Sequence, residues 1–277
     1  MDYMAGEVAG NDYILRGARH FDLAATLDCG QAFRWEQVGE DAFRGIALGR
    51  VLEIQRRGED IILYGVSEEE FHARWKSYFD LDRDYGKLKE LFCQDPVLRQ
   101  AVEYAPGIRV LRQDGWEALC SFIMSQNNNI VRNKGMIDRL CRLAGEPIPG
   151  GYAFPTPRRL AAMTVEDLVP ARCGFRAKYI LDAARAVCEK RVCLNQAVKL
   201  PLPQAREMLM QIYGVGPKVA DCALLYGLGR VECVPMDVWM KRVMERCFPK
   251  GLPEWAKDTA GIAQQYLFHY ARMQGLK

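Results

Sequence analysis

Two glycines, a proline and a lysine within five residues have the types and the spacing for chemistry beside a phosphate. Gly214 and Gly216 flank Val215, and Pro217 and Lys218 follow. Glycine permits positive φ and close backbone approach, and proline suits the first position of a helix, where its missing N–H needs no partner. The pattern predicts a glycine hairpin that opens a helix. The unpaired backbone N–H groups at that helix start form an anion site.

Lys218 has two interpretations. The first turn of a helix disfavours a cation, and a poorly solvated site adds to that effect. A neutral amine is a nucleophile, suited to attack on an electrophilic carbon and to Schiff-base chemistry. The alternative is a lysine that only binds phosphate, which is the commoner role beside such a loop. The spacing Gly-x-Gly-x-Lys leaves both open, and it lacks the longer spacing of a nucleotide P-loop.

Asp237 favours the catalytic interpretation. It ends the extended segment Val-Pro-Met-Asp and precedes the helical pattern of residues 238–243, so it is predicted to be an N-cap. Beyond capping, its carboxylate could stabilise developing positive charge or move protons near Lys218. Cys222 lies four residues after Lys218, hence on the same helix face. It either lines the same pocket or belongs to the core, where free cysteines usually lie.

The elements that position these residues point to an α+β fold. Alternating apolar and polar residues predict strands over residues 32–38, 42–46, 51–55 and 61–64, separated by glycine-containing turns. Ser67 and Glu70 form a capping box that opens a helix, and the chain is mostly helical from there. We expect an N-terminal antiparallel sheet domain at 1–105. A helical region of two subdomains, on which the sheet packs, should follow at 106–277. It should contain a helix-hairpin-helix at about 205–230 and a last helix at 254–273 that packs back.

Composition restricts the compartment and the cofactors. The chain has 277 residues, a formal net charge of +3 and ten cysteines. The cysteines form no C-x-x-C pair and the three histidines lie far apart, so zinc and iron–sulfur spacings are absent. We expect reduced, mostly buried thiols. No apolar run is long enough to span a membrane, and the N-terminus lacks a signal-peptide pattern. A cytoplasmic protein is therefore expected.

Two further segments carry polar or aromatic residues at special positions. An apolar helix runs into Asn127, Asn128 and Asn129, poor helix formers that mark either a solvated helix end or a polar junction. Phe175 and Arg176 follow a glycine at a predicted turn. Phenylalanine is usually a core residue, but an exposed Phe-Arg pair suits a wedge that fills the gap left by an extruded base.

These motifs resemble the 8-oxoguanine DNA glycosylase/lyase family of the helix-hairpin-helix, endonuclease III-like superfamily. The resemblance is carried by Gly-Val-Gly-Pro-Lys-Val-Ala-Asp-Cys, Val-Pro-Met-Asp-Val and Ser-Gln-Asn-Asn-Asn-Ile, and the motifs fall in the expected order from Gly30 to Phe268. It implies a bifunctional enzyme that flips 8-oxoguanine, paired with cytosine, out of duplex DNA, excises it and nicks the strand by β-elimination. Endonuclease III-like relatives end in a four-cysteine iron–sulfur loop, which this sequence lacks.

The resemblance also implies roles for individual residues. Lys218 would attack C1′ of the sugar, and Asp237 would support the developing charge. The base pocket would consist of Gly30, whose carbonyl accepts the N7–H of 8-oxoguanine, with Cys222, Gln264 and Phe268. Contacts to the orphaned cytosine and to the DNA backbone would come from Asn127, Asn128, Asn129, Arg132, Phe175, Arg176, Gly214, Gly216 and Trp239. Among them, relatives often have tyrosine in place of Phe175 and histidine in place of Trp239.

The resemblance implies no required cofactor. It does imply a structural cation at the hairpin, held by the main-chain carbonyls of Met210, Ile212 and Val215. The expected partner is double-stranded DNA that contains 8-oxoguanine, bound by a monomer with no membrane attachment. The short N-terminal region suggests a prokaryotic member that acts on nucleoid DNA.

Two alternatives remain from the sequence. One is a glycosylase for a different lesion, such as an alkylated base, although such relatives generally lack the nucleophilic lysine. The other is a helix-hairpin-helix module that binds DNA without catalysis. The second alternative leaves the combination of Lys218, Asp237 and Gln264 unexplained.

Overall fold

The N-terminal part of the chain folds into a six-stranded sheet with the order β1-β2-β6-β5-β4-β3. A computed structural model provides the structure, which describes residues Asp2 to Gln274. The strands are β1 (Ala5–Ala9), β2 (Asp12–Arg16), β3 (Trp35–Gly39), β4 (Ala42–Ala47), β5 (Arg50–Arg57) and β6 (Asp60–Tyr64), and a short pair follows, β7 (Pro147–Ile148) and β8 (Gly151–Tyr152). The pairs β1–β2, β2–β6, β5–β6 and β3–β4 are antiparallel.

Side-chain alternation explains which strands the sequence predicts well. Ile54 on β5 is paired with Leu63 on β6, and both side chains are fully buried. Successive residues of a strand face opposite sides of the sheet, so such positions recur with a period of two. Every residue of β1 is exposed. It has no buried face to create an alternating pattern, and the sequence did not predict it.

The helices follow from residue 23 onward. They are α1 (Leu23–Leu27), α2 (Glu68–Glu70), α3 (Lys76–Tyr78), α4 (Tyr85–Phe92), α5 (Pro96–Tyr104), α6 (Gly115–Met124), α7 (Ile130–Ala144), α8 (Pro157–Ala161), α9 (Arg176–Cys188), α10 (Leu194–Ala197), α11 (Leu202–Leu209), α12 (Pro217–Cys222), α13 (Val238–Cys247) and α14 (Ala260–Gln274). A π-helical turn at Phe71–Trp75 joins α2 to α3, and another at Ala223–Gly227 extends α12. Within the described residues, no helix combines the length and the hydropathy that crossing a membrane requires.

Two predicted boundaries differ from the structure. The strand predicted from residue 32 begins at Trp35. Residues 165–168 form a turn, beside which Thr164 and Asp167 make the reciprocal side-chain to backbone hydrogen bonds of a capping box. The last helix starts as a 3₁₀ segment, Glu254–Thr259, before α14. The predicted helix start at Ser67 is confirmed, since its hydroxyl accepts the N–H of Glu70 at 3.1 Å as an N-cap.

The chain divides into two compact units. The first comprises the chain up to Gly45, Leu52–Arg112 and the chain from Met236 onward, and the second comprises Ile46–Val51 and Gln113–Pro235. The first unit therefore contains α14 together with most of the sheet. The hydroxyl of Tyr266 on α14 donates to the carbonyl of Ile108 at 3.0 Å. The predicted domain division at 105/106 remains a prediction.

All ten cysteines are free thiols. Six are buried: Cys29, Cys120, Cys141, Cys173, Cys222 and Cys233. The prediction that most of the thiols are buried is thereby confirmed, and their reduced state in the cell remains a prediction.

Candidate active site

The glycine hairpin of the second unit joins α11 to α12 as predicted. Gly214 has φ of +82°, a region that other residues rarely adopt. A Cβ at Gly214 would lie 2.5 Å from the ring of Tyr179, whereas a Cβ at Gly216 would meet nothing within 4 Å. Helix α12 begins at Pro217, directly after Gly216 as its N-cap. Gly214 is therefore required by the fold, and Gly216 leaves space for a ligand beside the helix start.

This difference gives a first prediction, on stability. Gly214→Ala is expected to lower the free energy of unfolding by roughly 1–3 kcal/mol, because alanine is strained at positive φ and its methyl group overlaps the Tyr179 ring. Gly216→Ala is the matched control, since its φ of −100° suits alanine. It should change stability by less than about 0.5 kcal/mol. Urea unfolding of the two variants beside the wild type measures both values. Equal destabilisation by the two changes would contradict this account.

Lys218 lies in the first turn of α12 and is half-buried. Its Nζ atom lies 5.5 Å from the centroid of the Phe122 ring, within the distance for attraction between a cation and an aromatic face. No hydrogen bond or ion pair involves this ammonium group among residues 2–274. The amine is therefore available to a ligand and is not committed to a structural partner.

Asp237 in the first unit is the N-cap of α13, as predicted. Its Oδ1 atom accepts the N–H of Met240 at 2.8 Å, and the residue is half-buried. Capping uses one carboxylate oxygen and leaves Oδ2 available for a second role. Trp239, two residues later, is half-buried and lies under the guanidinium of Arg242, 5.4 Å from its ring centroid. Lys218 and Asp237 belong to different units, so their pairing remains a prediction.

Gly30, Gln264 and Phe268 all belong to the first unit. Gly30 has φ of +96°. The side chain of Gln264 on α14 is 3% exposed, and its Oε1 atom is buried without a hydrogen-bond partner among the described residues. An unpaired buried acceptor costs free energy, so Gln264 has the character of a ligand-binding residue. Phe268 is one helical turn later and half-buried. Cys222 is a buried thiol of the second unit.

The asparagine segment forms the junction between α6 and α7. Asn129 is the N-cap of α7, its Oδ1 accepting the N–H of Arg132 at 2.8 Å. Asn128 donates to the carbonyl of Met124 at 3.2 Å. Asn127 has φ of +48° and an exposed side chain, and the Arg132 side chain is also exposed. The structure therefore separates two asparagines that build the junction from Asn127 and Arg132, which can reach a ligand.

Phe175 is 46% exposed, whereas Arg176 is only 4% exposed. The Nε atom of Arg176 donates to the carbonyl of Gln126 at 2.8 Å, and Nη2 donates to that of Asn127 at 3.0 Å. The guanidinium carbon lies 4.4 Å from the centroid of the Phe175 ring. Burial, followed by the nearby charge of Arg132, lowers the pKa of Arg176 from its ordinary value. Arg176 therefore supports both the exposed phenylalanine and the Asn127 turn.

Helix α9 connects this exposed phenylalanine to the hairpin. Tyr179 packs edge-to-face against Phe175 at 5.8 Å and against Tyr213 at 5.1 Å between ring centroids. Asp182 on the same helix accepts the N–H of Tyr213 at 2.7 Å. Sequence analysis missed Tyr179 and Tyr213. The available signal was the four-residue spacing from Phe175 to Tyr179, which places both on one helix face.

Met210, Ile212 and Val215, whose main-chain carbonyls are predicted to hold a structural cation, lie in the loop between α11 and α12. The carbonyl of Ile212 accepts the N–H of Val215 at 3.0 Å, which leaves a second lone pair on that oxygen. Within the described part of the chain, no group of three or more His, Cys, Asp or Glu side chains is placed to hold a metal. A cation on main-chain oxygens is a different kind of site, and it remains a prediction.

Comparisons with known proteins agree with this geometry. Residues 13–119 match the family model of the 8-oxoguanine DNA glycosylase N-terminal domain, and residues 120–260 match that of HhH-GPD superfamily base excision DNA repair proteins. The chain is 30% identical to a probable N-glycosylase/DNA lyase of Methanothermobacter thermautotrophicus, over 92% of this chain and 95% of that one. It is 33% identical to the N-glycosylase/DNA lyase of Saccharomyces cerevisiae, over 89% and 72%.

The chain is also similar to a solved structure over its whole length. The 8-oxoguanine glycosylase/lyase of Clostridium acetobutylicum, in complex with double-stranded DNA containing cytosine opposite 8-oxoguanine, is 37% identical to this chain. The two structures superpose with a TM-score of 0.92, and the alignment covers 100% of each chain.

Proposed function

The chain belongs to the HhH-GPD superfamily of base excision DNA repair proteins, and from that premise we propose that it is a bifunctional 8-oxoguanine DNA glycosylase and lyase. Its substrate is duplex DNA with 8-oxoguanine opposite cytosine. The observation that carries the proposal is Lys218, a half-buried amine at the start of a helix, after a glycine hairpin, with no ionic partner among the described residues. A DNA-binding module without catalysis accounts for such a lysine only as a phosphate contact, and it leaves the combination of Lys218, Asp237 and the unpartnered buried Gln264 unexplained.

The reaction proceeds through covalent attack. The neutral amine of Lys218 bonds to C1′ while the glycosidic bond breaks, and the base leaves with the bonding electrons and takes up a proton. The attached nitrogen gives up a proton, and its lone pair forms a C=N bond as the C1′–O4′ bond breaks and O4′ takes up the proton, which gives a protonated Schiff base. Loss of a C2′ proton to water then expels the 3′ phosphate and nicks the strand. Asp237 stabilises the positive charge that develops on the sugar.

Recognition of the edge of the base is assigned to residues of the first unit. Guanine presents an acceptor at N7, whereas 8-oxoguanine carries a hydrogen there. A carbonyl at Gly30 therefore pairs with the lesion and faces a second acceptor in guanine, and two buried acceptors left unpaired are penalised. The buried, unpartnered Oε1 of Gln264 suits an N–H donor on the Watson–Crick edge of the base. Phe268 and Cys222 pack against the two faces of the flipped base.

Gln264→Met tests whether Gln264 binds the base, because the change is expected to lower activity without lowering stability. Methionine has a similar shape and removes the unpaired buried oxygen, so the free energy of unfolding should stay equal or rise by about 1 kcal/mol. Excision of 8-oxoguanine should fall at least about tenfold, since a hydrogen bond to the base is lost. Single-turnover excision and urea unfolding measure the two effects. Unchanged excision, or a loss of stability that parallels the loss of activity, would contradict the assignment.

Most of the other DNA contacts are assigned to residues of the second unit. Phe175 fills the gap left by the flipped base, an event whose unstacking cost is a few kcal/mol. The exposed Asn127 and Arg132 contact the orphaned cytosine. Arg176 donates from its Nη1 group to the same base, while its other nitrogens support the Asn127 turn. The hairpin at Gly214 and Gly216 binds a backbone phosphate, with Trp239 as a further backbone contact and a structural cation at the loop.

We further propose that the protein acts as a monomer on the DNA of a prokaryotic cytoplasm. No step of this scheme uses a metal or an organic cofactor. The direct test is a set of duplexes with a single 8-oxoguanine opposite each of the four bases, together with a duplex that contains an alkylated adenine. Preferred cleavage of the cytosine pair supports the proposal. Preferred release of the alkylated base would establish the competing glycosylase function.

A further inference from the structure

Two buried glutamines flank the residues proposed to contact the edge of the base. Gln31 follows Gly30 and Gln265 follows Gln264, and each is only 1% exposed. We propose that Gln31 and Gln265 are positioning residues that hold the Gly30 carbonyl in register with Gln264, and so determine how well the enzyme recognises 8-oxoguanine. This inference rests on the proposed function, because it assumes that Gly30 and Gln264 contact the base.

Gln31 ties the Gly30 loop to two neighbouring backbone segments. Its Nε2 atom donates to the carbonyls of Thr26 and Arg109, both at 2.8 Å, and its Oε1 atom accepts the N–H of Leu111 at 2.9 Å. The amide thus makes three hydrogen bonds to backbone groups in a fully buried environment. A side chain bonded in this way has one orientation, and the main chain that carries it is equally restricted.

The Thr26 hydroxyl completes this attachment. It accepts the N–H of Arg109 at 3.1 Å and donates to the carbonyl of Gly107 at 3.3 Å. The segment that contains Arg109 is itself fixed, because the guanidinium of Arg109 is fully buried and pairs with Asp2 at 2.7 Å. The Gly30 loop is therefore attached to a rigid part of the first unit.

Gln265 ties the same loop to α14. Its Nε2 atom donates to Sγ of Cys29 at 3.2 Å, and the thiol of Cys29 donates to the carbonyl of Thr26 at 3.4 Å. Burial raises the pKa of Cys29 to about 11, so the sulfur is a neutral thiol that both accepts and donates. Arg272, two turns after Gln265, donates to the carbonyl of Cys29 at 3.4 Å. Residue 29 is thereby held from α14 at its side chain and at its main chain.

The function of this network follows from the geometry of recognition. Discrimination by a single carbonyl requires that its oxygen meet the N7–H at hydrogen-bond distance and angle, and the interaction weakens steeply outside that range. Gly30 has φ of +96°, a conformation that glycine adopts readily and other residues rarely do. Since residues 29 and 31 are both bonded, the carbonyl between them cannot rotate freely.

The test compares two substrates that share the Lys218 chemistry and differ in the base. An 8-oxoguanine duplex requires recognition and excision, whereas a duplex with a preformed abasic site presents no base and reports only nicking. For Gln265→Met and Gln31→Met we expect single-turnover excision to fall at least about tenfold, while nicking of the abasic duplex stays within about twofold of wild type. Gln100→Met, an exposed change on α5, is the control that should alter neither rate.

Cys29→Ala is a second route to the same result, since it removes the acceptor of Gln265 with a smaller change of shape. Combined with Gln265→Met, it should cost no more than the larger single change, because both remove the same contact. Parallel loss of excision and nicking would mean a purely structural role and would overturn the proposal, and so would unchanged excision. A wild type that nicks the abasic duplex but leaves 8-oxoguanine in place would instead refute the proposed function.

Discussion

Lys218→Gln is expected to abolish the covalent adduct with DNA and to reduce strand nicking by roughly 10⁴-fold or more, as removal of an essential nucleophile does. The glutamine amide cannot attack C1′ or form a Schiff base. Borohydride reduces a Schiff base to a stable bond, so trapping on a duplex with one 8-oxoguanine opposite cytosine measures the effect directly. Duplex binding should persist, because the hairpin backbone at Gly214–Lys218 is unchanged.

The matched control for this prediction is Lys199→Gln. It removes one positive charge from an exposed position in the same unit, and its adduct should equal that of wild type. An adduct that persists in Lys218→Gln would place the nucleophile on another residue. A wild type that binds the duplex and never forms an adduct would refute the lyase activity and would favour a monofunctional glycosylase or a DNA-binding module.

Asp237→Asn is expected to lower the rate of base excision by about 10²–10³-fold, the usual cost of removing one group that stabilises transition-state charge. The amide oxygen of asparagine can still accept the N–H of Met240, and asparagine caps helices as well as aspartate does. The free energy of unfolding should therefore change by less than about 0.5 kcal/mol. Single-turnover excision and urea unfolding separate the charge from the cap.

Asp95→Asn provides the comparison for Asp237. Asp95 is also an N-cap of the first unit, with Oδ1 accepting the N–H groups of Val97 and Leu98 at 2.9 and 3.0 Å. The same chemical change at this helix start should leave excision unaltered. If Asp237→Asn and Asp95→Asn have equal and small effects on excision, Asp237 is only a cap. A large loss of stability in Asp237→Asn would show that the carboxylate charge is structural.

The buried arginines illustrate why composition did not predict the DNA-binding surface. Arg109 and Arg176 are 0% and 4% exposed and use their N–H groups on Asp2 and on backbone carbonyls. The net charge of +3 counts them with the exposed cations. The charge available to a DNA phosphate is set by which arginines are exposed, as Arg132 is, and burial depends on the tertiary structure.

Features that depend on neighbours in the chain were predictable from the sequence. The hairpin at Gly214, the helix start at Pro217 and the N-cap at Asp237 all lie where the sequence placed them. Each is fixed by backbone geometry within about one turn, so residue type and spacing are sufficient. The same reasoning identified strands β3 to β6, and it did not identify β1, whose residues are all exposed.

Contacts between distant residues were decided by the tertiary structure alone. The bond from Arg176 to Gln126 joins residues 50 positions apart, and that from Gln265 to Cys29 joins residues 236 positions apart. The family resemblance singled out Asn127 and Arg132 as readers of the cytosine, but only the junction geometry shows that Asn128 and Asn129 bind the main chain while the Asn127 side chain is exposed. A side chain's partner depends on which backbone groups the fold brings beside it, and periodicity along the chain carries no information about that.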